Sequence, residues 1–400
     1  MTRRQKYQRF VFGLLLLDLL VMGYLGYRYL DRKIPKELHV VEGEEDKITE
    51  LFQSPWLKCD TSIPASQNGS YTIHCSLLGV IPFKDVKVTT GERENLWVSG
   101  GPIGLYMETQ GVLIIDTGEI VGEDGVSYDP AQNIAQAGDY IIAFNDQRVS
   151  SKRELVEDIT CCNGETAVLS VIRHGEEISL SLDPVLGEDG RYKLGIWVRD
   201  NTQGIGTLTY MREDGTFGAL GHGISDVDTG ELLHIQGGAL YQTEILGIQK
   251  GSKGSPGELS GIIRYSQSNC LGEITKNCSN GIYGKIGSEE RNRFTWTRMP
   301  VGYKQDMKVG KAQILFKLDG QLDFYDVEIT KIDMDHEDTN KSFVIQVTDP
   351  RLLSATGGIV QGMSGSPVIQ EGKIVGAVTH VFVQDSASGY GIFIETMLEQ

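Results

Sequence analysis

The first thirty residues combine a basic stretch with a long apolar run. Residues 10–29 are mostly apolar, with Asp18 as the one acid in the run. That length suits a membrane-spanning helix, and the many leucines offset the roughly 2.5–3.5 kcal/mol that an acid costs at mid-membrane. The preceding basic residues predict a cytoplasmic N-terminus, with everything after residue 33 on the other side. They are Arg3, Arg4, Lys6 and Arg9. No A-x-A-like cleavage site follows, so we expect an uncleaved, single-pass anchor over residues 1–33 rather than a signal peptide.

The regular spacing of apolar residues weakens after the anchor and returns near residue 90. Residues 34–89 contain an acidic EGEEDK run and a polar SQNGS turn, and we expect an extracytoplasmic stalk with some local structure. Residues 90–185 predict a compact module instead. A glycine loop enters a strand at GGPIGLYM, a second strand follows at GVLIIDTGEIV, and a short helix is expected at DPAQNIAQ. A helix is expected over residues 151–159, and TAVLSVIRHGEEISLSL predicts a hairpin.

This module resembles a PDZ domain. The most specific part is the A-G-D-x-I-x-x-x-N stretch at residues 137–145. In that family an extended peptide, usually a C-terminus, adds as a strand, and a glycine loop binds its carboxylate. The resemblance implies that Ile103, Gly104 and Leu105 form this loop. A purely structural β-module that holds no peptide is the alternative.

From residue 186 to the end, short strands alternate with turns. Three hairpins are predicted, with turns at Asp214-Gly215, at Asp319-Gly320 and at Glu371-Gly372. Hairpins at this spacing favour a β-barrel or a sandwich. The sequence therefore predicts a mainly β chain, in which the anchor, the stalk and an α+β PDZ-like module precede a β-rich domain over residues 186–400.

Composition narrows the classes of partner. The net charge of −17 argues against a nucleic-acid-binding surface. Six cysteines are present without any C-x-x-C pair, which argues against a zinc site, and we expect no metal and no cofactor. Outside the cytoplasm disulfides are possible, but spacing does not reveal their pairing.

The hexapeptide GMSGSP, residues 362–367, is the first candidate for chemistry. Glycines on both sides of Ser364 allow a sharp turn that exposes the hydroxyl. The same turn frees main-chain N–H groups, here those of Gly362 and Ser364, to form an oxyanion hole. Trypsin-like serine peptidases carry G-x-S-G-x-P at this place, followed by a hairpin with a small-residue return strand. That layout makes Ser364 the nucleophile and Ser366 a neighbour, whereas a glycine loop that merely links strands is the alternative.

A serine nucleophile needs a base and, usually, an acid that orients the base. Of the seven histidines, His222 is favoured, because glycines flank it at the end of a hairpin strand. His380 lies in the return strand and is expected, with Val381, to line the bound substrate. Spacing alone does not choose the acid. The candidates are Asp226, Asp228 and Asp349.

Two long signatures then carry a family resemblance. GALGHGISDVDT and TDPRLLSATGGIVQGMSGSPVIQEGKIVGAVTHVF closely resemble the stage IV sporulation protein B (SpoIVB) family of serine peptidases. The resemblance implies a trypsin-like β-barrel peptidase domain, a catalytic triad of His222, Asp349 and Ser364, and self-cleavage. It also implies export across the inner forespore membrane and cleavage of a regulatory subunit of an intramembrane metalloprotease complex, which leads to activation of the late mother-cell sigma factor.

Two other functions fit the same features. One is an envelope quality-control protease, which would cut unfolded proteins broadly. The other is a non-catalytic membrane protein that recruits partners through the PDZ-like module.

Overall fold

A long N-terminal helix opens the chain. The computed structural model describes residues 3–44, 48, 52, 54–60, 69–336 and 339–400. Helix α1 (Arg3–Lys33) has no buried side chain, and an 18-residue window within it has a mean hydropathy of 2.0. Among the described residues it is the one helix long and apolar enough to cross a membrane, as the apolar run predicts.

The segment after α1 is a small β-domain, not the loosely structured stalk that we expected. Its strands are β1 (Glu37–Val41), β2 (Leu57–Cys59), β3 (Ser70–Leu77) and β4 (Ile81–Gly91). They pair in the order β1-β4-β3-β2, and Leu38, Ile73 and Val86 lie in their core. A disulfide joins Cys59 to Cys75 across β2 and β3. Buried and exposed positions alternate along β4, so the pattern of a half-buried strand is present in the sequence.

One lysine holds α1, the small domain and a distant loop together. Lys84 is only 8% exposed, and its ammonium donates to the Asp31 carboxylate, to the Ile34 carbonyl oxygen and to the Asp335 carboxylate. The three distances are 3.0, 2.7 and 2.7 Å. A buried ammonium with all its donors engaged fixes the base of α1 against both partners.

The remaining elements form two barrels and a module inserted in the first. Residues 95–193 contribute β5 (Asn95–Val98), β6 (Pro102–Thr117), β7 (Ile120–Val121), β8 (Ser127–Tyr128), β9 (Tyr140–Phe144), β10 (Gln147–Arg148), α2 (Lys152–Cys161), β11 (Ala167–Arg173), β12 (Glu176–Leu182), β13 (Val185–Leu186) and β14 (Tyr192–Lys193). Residues 196–300 contribute β15 (Ile196–Met211), β16 (Thr216–Ala219), β17 (Ile235–Tyr241), β18 (Thr243–Gln249), β19 (Gly257–Ile263), β20 (Cys270–Cys278), β21 (Gly281–Ile286) and β22 (Thr297–Pro300). The last segment contributes β23 (Gly310–Leu318), β24 (Gln321–Ile332), β25 (Phe343–Val347), α3 (Pro350–Thr356), β26 (Val360–Gln361), β27 (Pro367–Gln370), β28 (Lys373–Phe382), β29 (Asp385–Phe393) and α4 (Ile394–Leu398).

The first barrel closes through two strands of 16 residues each. Strand pairing runs from β6 to β17, β20, β21, β16 and β15, and β15 pairs back onto β6. Ile103, Leu105, Phe217, Leu240 and Ile274 fill its interior. Because β6 belongs to this barrel, the barrel includes a strand that the sequence pattern assigns to the PDZ-like module.

The module itself extends from the far halves of these two strands. The later part of β6 pairs with β9, and β11 and β12 continue the sheet. Helix α2 is capped by Ser151 and buries Leu155 and Ile159, which confirms the helix expected here. The short helix expected at residues 129–136 is a series of turns instead.

The second barrel is closed in the order β23-β24-β25-β29-β28-β27. Ile314, Phe316, Phe343 and Val368 are among its buried core residues. The three predicted hairpins are confirmed, and Asp319 and Glu371 take the left-handed φ that such turns require. The mainly β fold with barrels is therefore confirmed, and the junction between the two barrels holds the residues described next.

Candidate active site

Ser364 lies at the tip of a tight turn between β26 and β27. Gly362 and Gly365 both have left-handed φ angles, +98° and +95°. A Cβ at Gly365 would lie 2.1 Å from the carbonyl oxygen of Thr207, so no side chain fits at that position. Within the described part of the chain, no acceptor takes up the main-chain N–H of Ser364. The turn thus exposes one hydroxyl and leaves an N–H beside it for an incoming oxygen.

Two threonines of β15, in the first barrel, bind the main chain of this turn. Thr207 donates its hydroxyl to the Gly362 carbonyl (2.8 Å) and its N–H to the Ser364 carbonyl (3.0 Å). Thr209 donates its hydroxyl to the Gly365 carbonyl (2.8 Å). Both threonines are completely buried. Three carbonyls of the turn therefore point toward β15.

His222 enters the same junction from the first barrel. It follows β16 through Leu220 and Gly221, both with left-handed φ (+66° and +69°). A Cβ at Gly221 would lie 3.0 Å from the Thr379 methyl group, so the chain passes close to the second barrel here. The ring Nδ1 lies 2.8 Å from the Gly223 carbonyl oxygen. Because a carbonyl only accepts, Nδ1 carries the proton, and Nε2 of the neutral ring is free to accept one.

Burial affects the charge of this ring. Loss of solvent around His222 lowers its pKa below the ordinary value of 6.5, and the bond to the Gly223 carbonyl opposes this only in part. The imidazole is therefore neutral at neutral pH, which is the state that a general base requires.

Ser364 and His222 converge on one short segment of β28. The Ser364 hydroxyl donates to the Thr379 carbonyl oxygen at 2.6 Å. The centroid of the His222 ring lies 4.8 Å from the ring centroid of His380, which follows Thr379 in β28. The serine and the histidine are not hydrogen-bonded to each other in the described structure, so the hydroxyl must rotate away from Thr379 before His222 can take its proton.

The structure does not bring Asp349 to the imidazole. Asp349 follows β25 in the second barrel and caps α3, where its carboxylate accepts from the N–H groups of Arg351 (2.8 Å) and Asp326 (3.3 Å). The Arg351 guanidinium donates to the same carboxylate and, more than any other contact, lowers the pKa of Asp349 to about 2. In the described residues no hydrogen bond joins Asp349 to His222, contrary to the expectation of an imidazole-orienting acid. The Gly223 carbonyl oxygen, instead of a carboxylate, accepts the hydrogen bond from Nδ1 of His222.

The two other candidate acids stabilise the loop after His222. Asp226 is buried, accepts the N–H groups of Asp228 and Thr229 at 3.0 Å, and pairs with Arg199. Asp228 pairs with the same arginine at 2.7 Å. The Asp226 carboxylate therefore stabilises a turn, a role that Asp residues often take, and Asp228 adds an ion pair beside it.

His380 and Val381 occupy the half-buried end of β28. Pairing between β28 and β29 shifts between Val378 and Val381, so the strand bulges at this position. In the described structure β27 pairs only with residues 373–377 of β28, which leaves the later part of that edge without a strand partner. That His380 and Val381 line the bound substrate stays a prediction.

The expected peptide-binding loop at Ile103, Gly104 and Leu105 is corrected by the structure. These residues lie inside β6, and Ile103 and Leu105 are buried. The strand pairs with β15 on one side and β17 on the other, so no edge is free for a peptide. A different edge is free: in the described structure Ile196–Arg199 of β15 pairs only with β6, and its other edge faces α2.

Sequence reasoning missed the residues that support the site. Thr207, Thr209 and Asn277 were not singled out, although Asn277 holds the loop after His222 with three hydrogen bonds to Ile224 and Leu233. The one signal available was a Thr-Leu-Thr pattern on an apolar strand, which places two hydroxyls on one face.

Two six-stranded barrels with a serine turn and a histidine at their junction define a serine peptidase. The family model for SpoIVB peptidase S55 matches residues 190–398, more than half of the chain. The chain belongs to this family. No curated protein matches it.

Two solved protease structures are distantly similar. One is the inactive form of the Rv3671c protease, 12% identical, with a TM-score of 0.27 over 49% of this chain and 82% of that one. The other is the HtrA-type protease AlgW with a decapeptide, 12% identical, with a TM-score of 0.28. That match covers 50% of this chain and about half, 52%, of the other.

Proposed function

We propose that the chain is a membrane-anchored serine endopeptidase of sporulation signalling, with Ser364 as nucleophile and His222 as base. The observation that carries the proposal is the convergence of both residues on Thr379 and His380 at the barrel junction. The family match supports peptidase activity, and the sequence resemblance supports a signalling role with cleavage of itself and of a metalloprotease regulator.

The reaction is acyl transfer. Nε2 of His222 takes the hydroxyl proton as Ser364 Oγ bonds to the peptide carbonyl carbon, and the N–H groups of Gly362 and Ser364 stabilise the oxyanion. The intermediate expels the amine, which receives the proton from His222. Water then adds to the acyl-enzyme by the same route, with His222 again as base, and releases Ser364.

The topology that we propose follows the charges at the N-terminus. Arg3, Arg4, Lys6 and Arg9 stay in the cytoplasm, α1 spans the membrane, and both barrels lie outside the cytoplasm. The Cys59–Cys75 disulfide is in keeping with an oxidising compartment.

We also propose that the PDZ-like module holds an extended peptide between α2 and β15. Support comes from the free edge at Ile196–Arg199 and from Gly195, whose φ of +67° turns the chain into that edge. Leu155, Val156 and Ile159 of α2 form the facing apolar wall. This position replaces Ile103–Leu105 as the site of strand addition.

Substitution of Ser364 tests the proposed function. In the purified full chain, we expect Ser364→Ala to abolish self-cleavage and covalent labelling by a fluorophosphonate probe. Ser366→Ala is the matched control and should keep both, because Ser366 is buried and donates to the Met363 carbonyl. Labelling or cleavage that persists in Ser364→Ala would rule out this serine as the nucleophile.

A further inference from the structure

The β3–β4 hairpin ends in an apolar turn. Residues 77–81 read Leu-Leu-Gly-Val-Ile, and Leu78, Val80 and Ile81 are 66%, 82% and 58% exposed. Leu78 also takes a φ of +54°, a conformation that normally goes to Gly or Asn. Turns that face water usually carry polar residues. Three exposed aliphatic side chains at one turn therefore mark an interaction surface.

Trp56 extends this surface. Its side chain is 62% exposed, and its carbonyl oxygen accepts the N–H of Leu78 at 2.9 Å, which holds the two segments side by side. We call residues 77–81 together with Trp56 the apolar tip.

The apolar tip lies level with the last turns of the apolar run in α1. One cleft is lined by Gly23, Gly26 and Leu30 of the helix and by Trp56, Leu78 and Ile81 of the tip. Leu30 lies seven positions after Gly23, which is about 10 Å along the helix axis. If α1 spans a membrane with this run, the tip reaches the same depth.

The end of α1 has the composition of a membrane interface. Tyr24, Tyr27 and Tyr29 lie in this stretch, and Arg28, Arg32 and Lys33 lie among them or just beyond. Tyrosines and basic residues of this kind mark the level of the lipid headgroups. Tyr27 also packs edge-on against Phe83 of β4, with ring centroids 5.3 Å apart, so the hairpin cannot turn freely away from the helix.

We propose that the apolar tip inserts into the lipid interface on the extracytoplasmic face, beside α1. The small β-domain then has a second contact with the bilayer besides the anchor itself. The occupant is lipid rather than a protein, because the tip is continuous with the lipid-facing surface of α1 and shares its depth. This inference rests on the proposed membrane span, but not on the proposed catalytic residues.

Depth-dependent quenching of tryptophan fluorescence tests the inference. The chain has four tryptophans, none of them in α1. The full chain would be reconstituted in phosphatidylcholine–phosphatidylglycerol vesicles with and without doxyl-labelled acyl chains. We expect Trp56→Phe to remove most of the lipid-dependent quenching. Trp197→Phe is the matched control: it is 65% exposed but lies beside α2, and it should leave the quenching unchanged.

A polar tip provides a second comparison. Leu78→Asn with Val80→Asn keeps a residue that tolerates the left-handed φ and should reduce quenching of Trp56, whereas Val309→Asn, at another exposed valine, should not. Vesicle flotation reports the anchor independently. A chain that floats while Trp56 escapes quenching overturns the inference and leaves the membrane span intact. Shielding of Trp56 that depends on the protein-to-lipid ratio also overturns it, in favour of a second copy.

Discussion

In the proposed mechanism, the protonation of one imidazole decides whether the site can act. His222 donates from Nδ1 to a main-chain carbonyl, so its tautomer is set without a carboxylate. In that mechanism, the positive charge that develops on the ring as Ser364 attacks is stabilised by a carbonyl dipole rather than by an anion. Burial, which lowers the pKa of His222, favours the neutral ring further.

A pH profile follows from this environment. The active form is neutral His222, and activity is lost as pH falls through its pKa. Because that pKa lies below 6.5, we expect the acid limb of kcat/KM to have its midpoint below 6.5. The rate of fluorophosphonate labelling, followed between about pH 4 and pH 8, gives the same pKa without a substrate. A midpoint at or above 6.5 in both measurements would contradict the assigned environment.

At the scale of elements, a short helix precedes the serine turn and is fixed by its N-cap. Helix α3 has only seven residues and leads through Gly357 and β26 to the serine turn. Its cap is Asp349, so this carboxylate supports the helix that precedes the serine turn and makes no hydrogen bond to His222 in the described structure.

Substitutions at Asp349 separate these two roles. Serine and asparagine also cap helices, so Asp349→Ser and Asp349→Asn should keep most of kcat. Asp349→Ala should lower the stability of the chain by about 0.5–2 kcal/mol and reduce activity with it. Thermal unfolding and kcat would be measured on the same samples. A large fall in kcat for Asp349→Asn at unchanged stability would instead show that the carboxylate orients the imidazole.

At the scale of the molecule, β15 links two sites. Its first residues face α2, and Thr207 and Thr209 near its other end hold the serine turn. The eleven steps from Ile196 to Thr207 span about 36 Å along this strand. A peptide that pairs with the first residues of β15 would therefore bind the same strand whose Thr207 and Thr209 hold the serine turn.

Val156 offers a test of the groove. Val156 lines the groove on α2 and is half exposed, so Val156→Asp places a charge where a peptide side chain would pack. We expect slower cleavage of the Ser364→Ala chain supplied in trans, mainly through a higher KM. Fluorophosphonate labelling of Ser364 should not change. The control is Val168→Asp, at a surface position of β11. Equal effects of the two variants would exclude a role for the groove.

The sequence predicted the parts that depend on local chemistry. Gly362 and Gly365 indicated the serine turn, and Asp-Gly and Glu-Gly pairs located hairpins. Glycines beside His222 indicated an exposed ring, but the ring is partly buried at the junction of the barrels. What it missed depends on distant partners. Ile103 and Leu105 resembled a loop because their strand partners, in β15 and β17, lie about a hundred or more residues further along the chain. Spacing likewise did not show that Asp349 faces Arg351.

The contacts of Lys84 at the base of α1 limit how far the barrel junction can move relative to this helix. Because Lys84 ties the helix end both to the small domain and to Asp335 of the second barrel, the catalytic junction cannot swing on a flexible tether. If α1 spans a membrane as we propose, the scissile bond of a membrane-bound substrate must be presented at one height above the bilayer. Under that proposal, a substrate too short to rise to that height, or a cut site placed beyond it, would escape cleavage. Distance from the membrane would then select among peptide bonds before any side-chain pocket does.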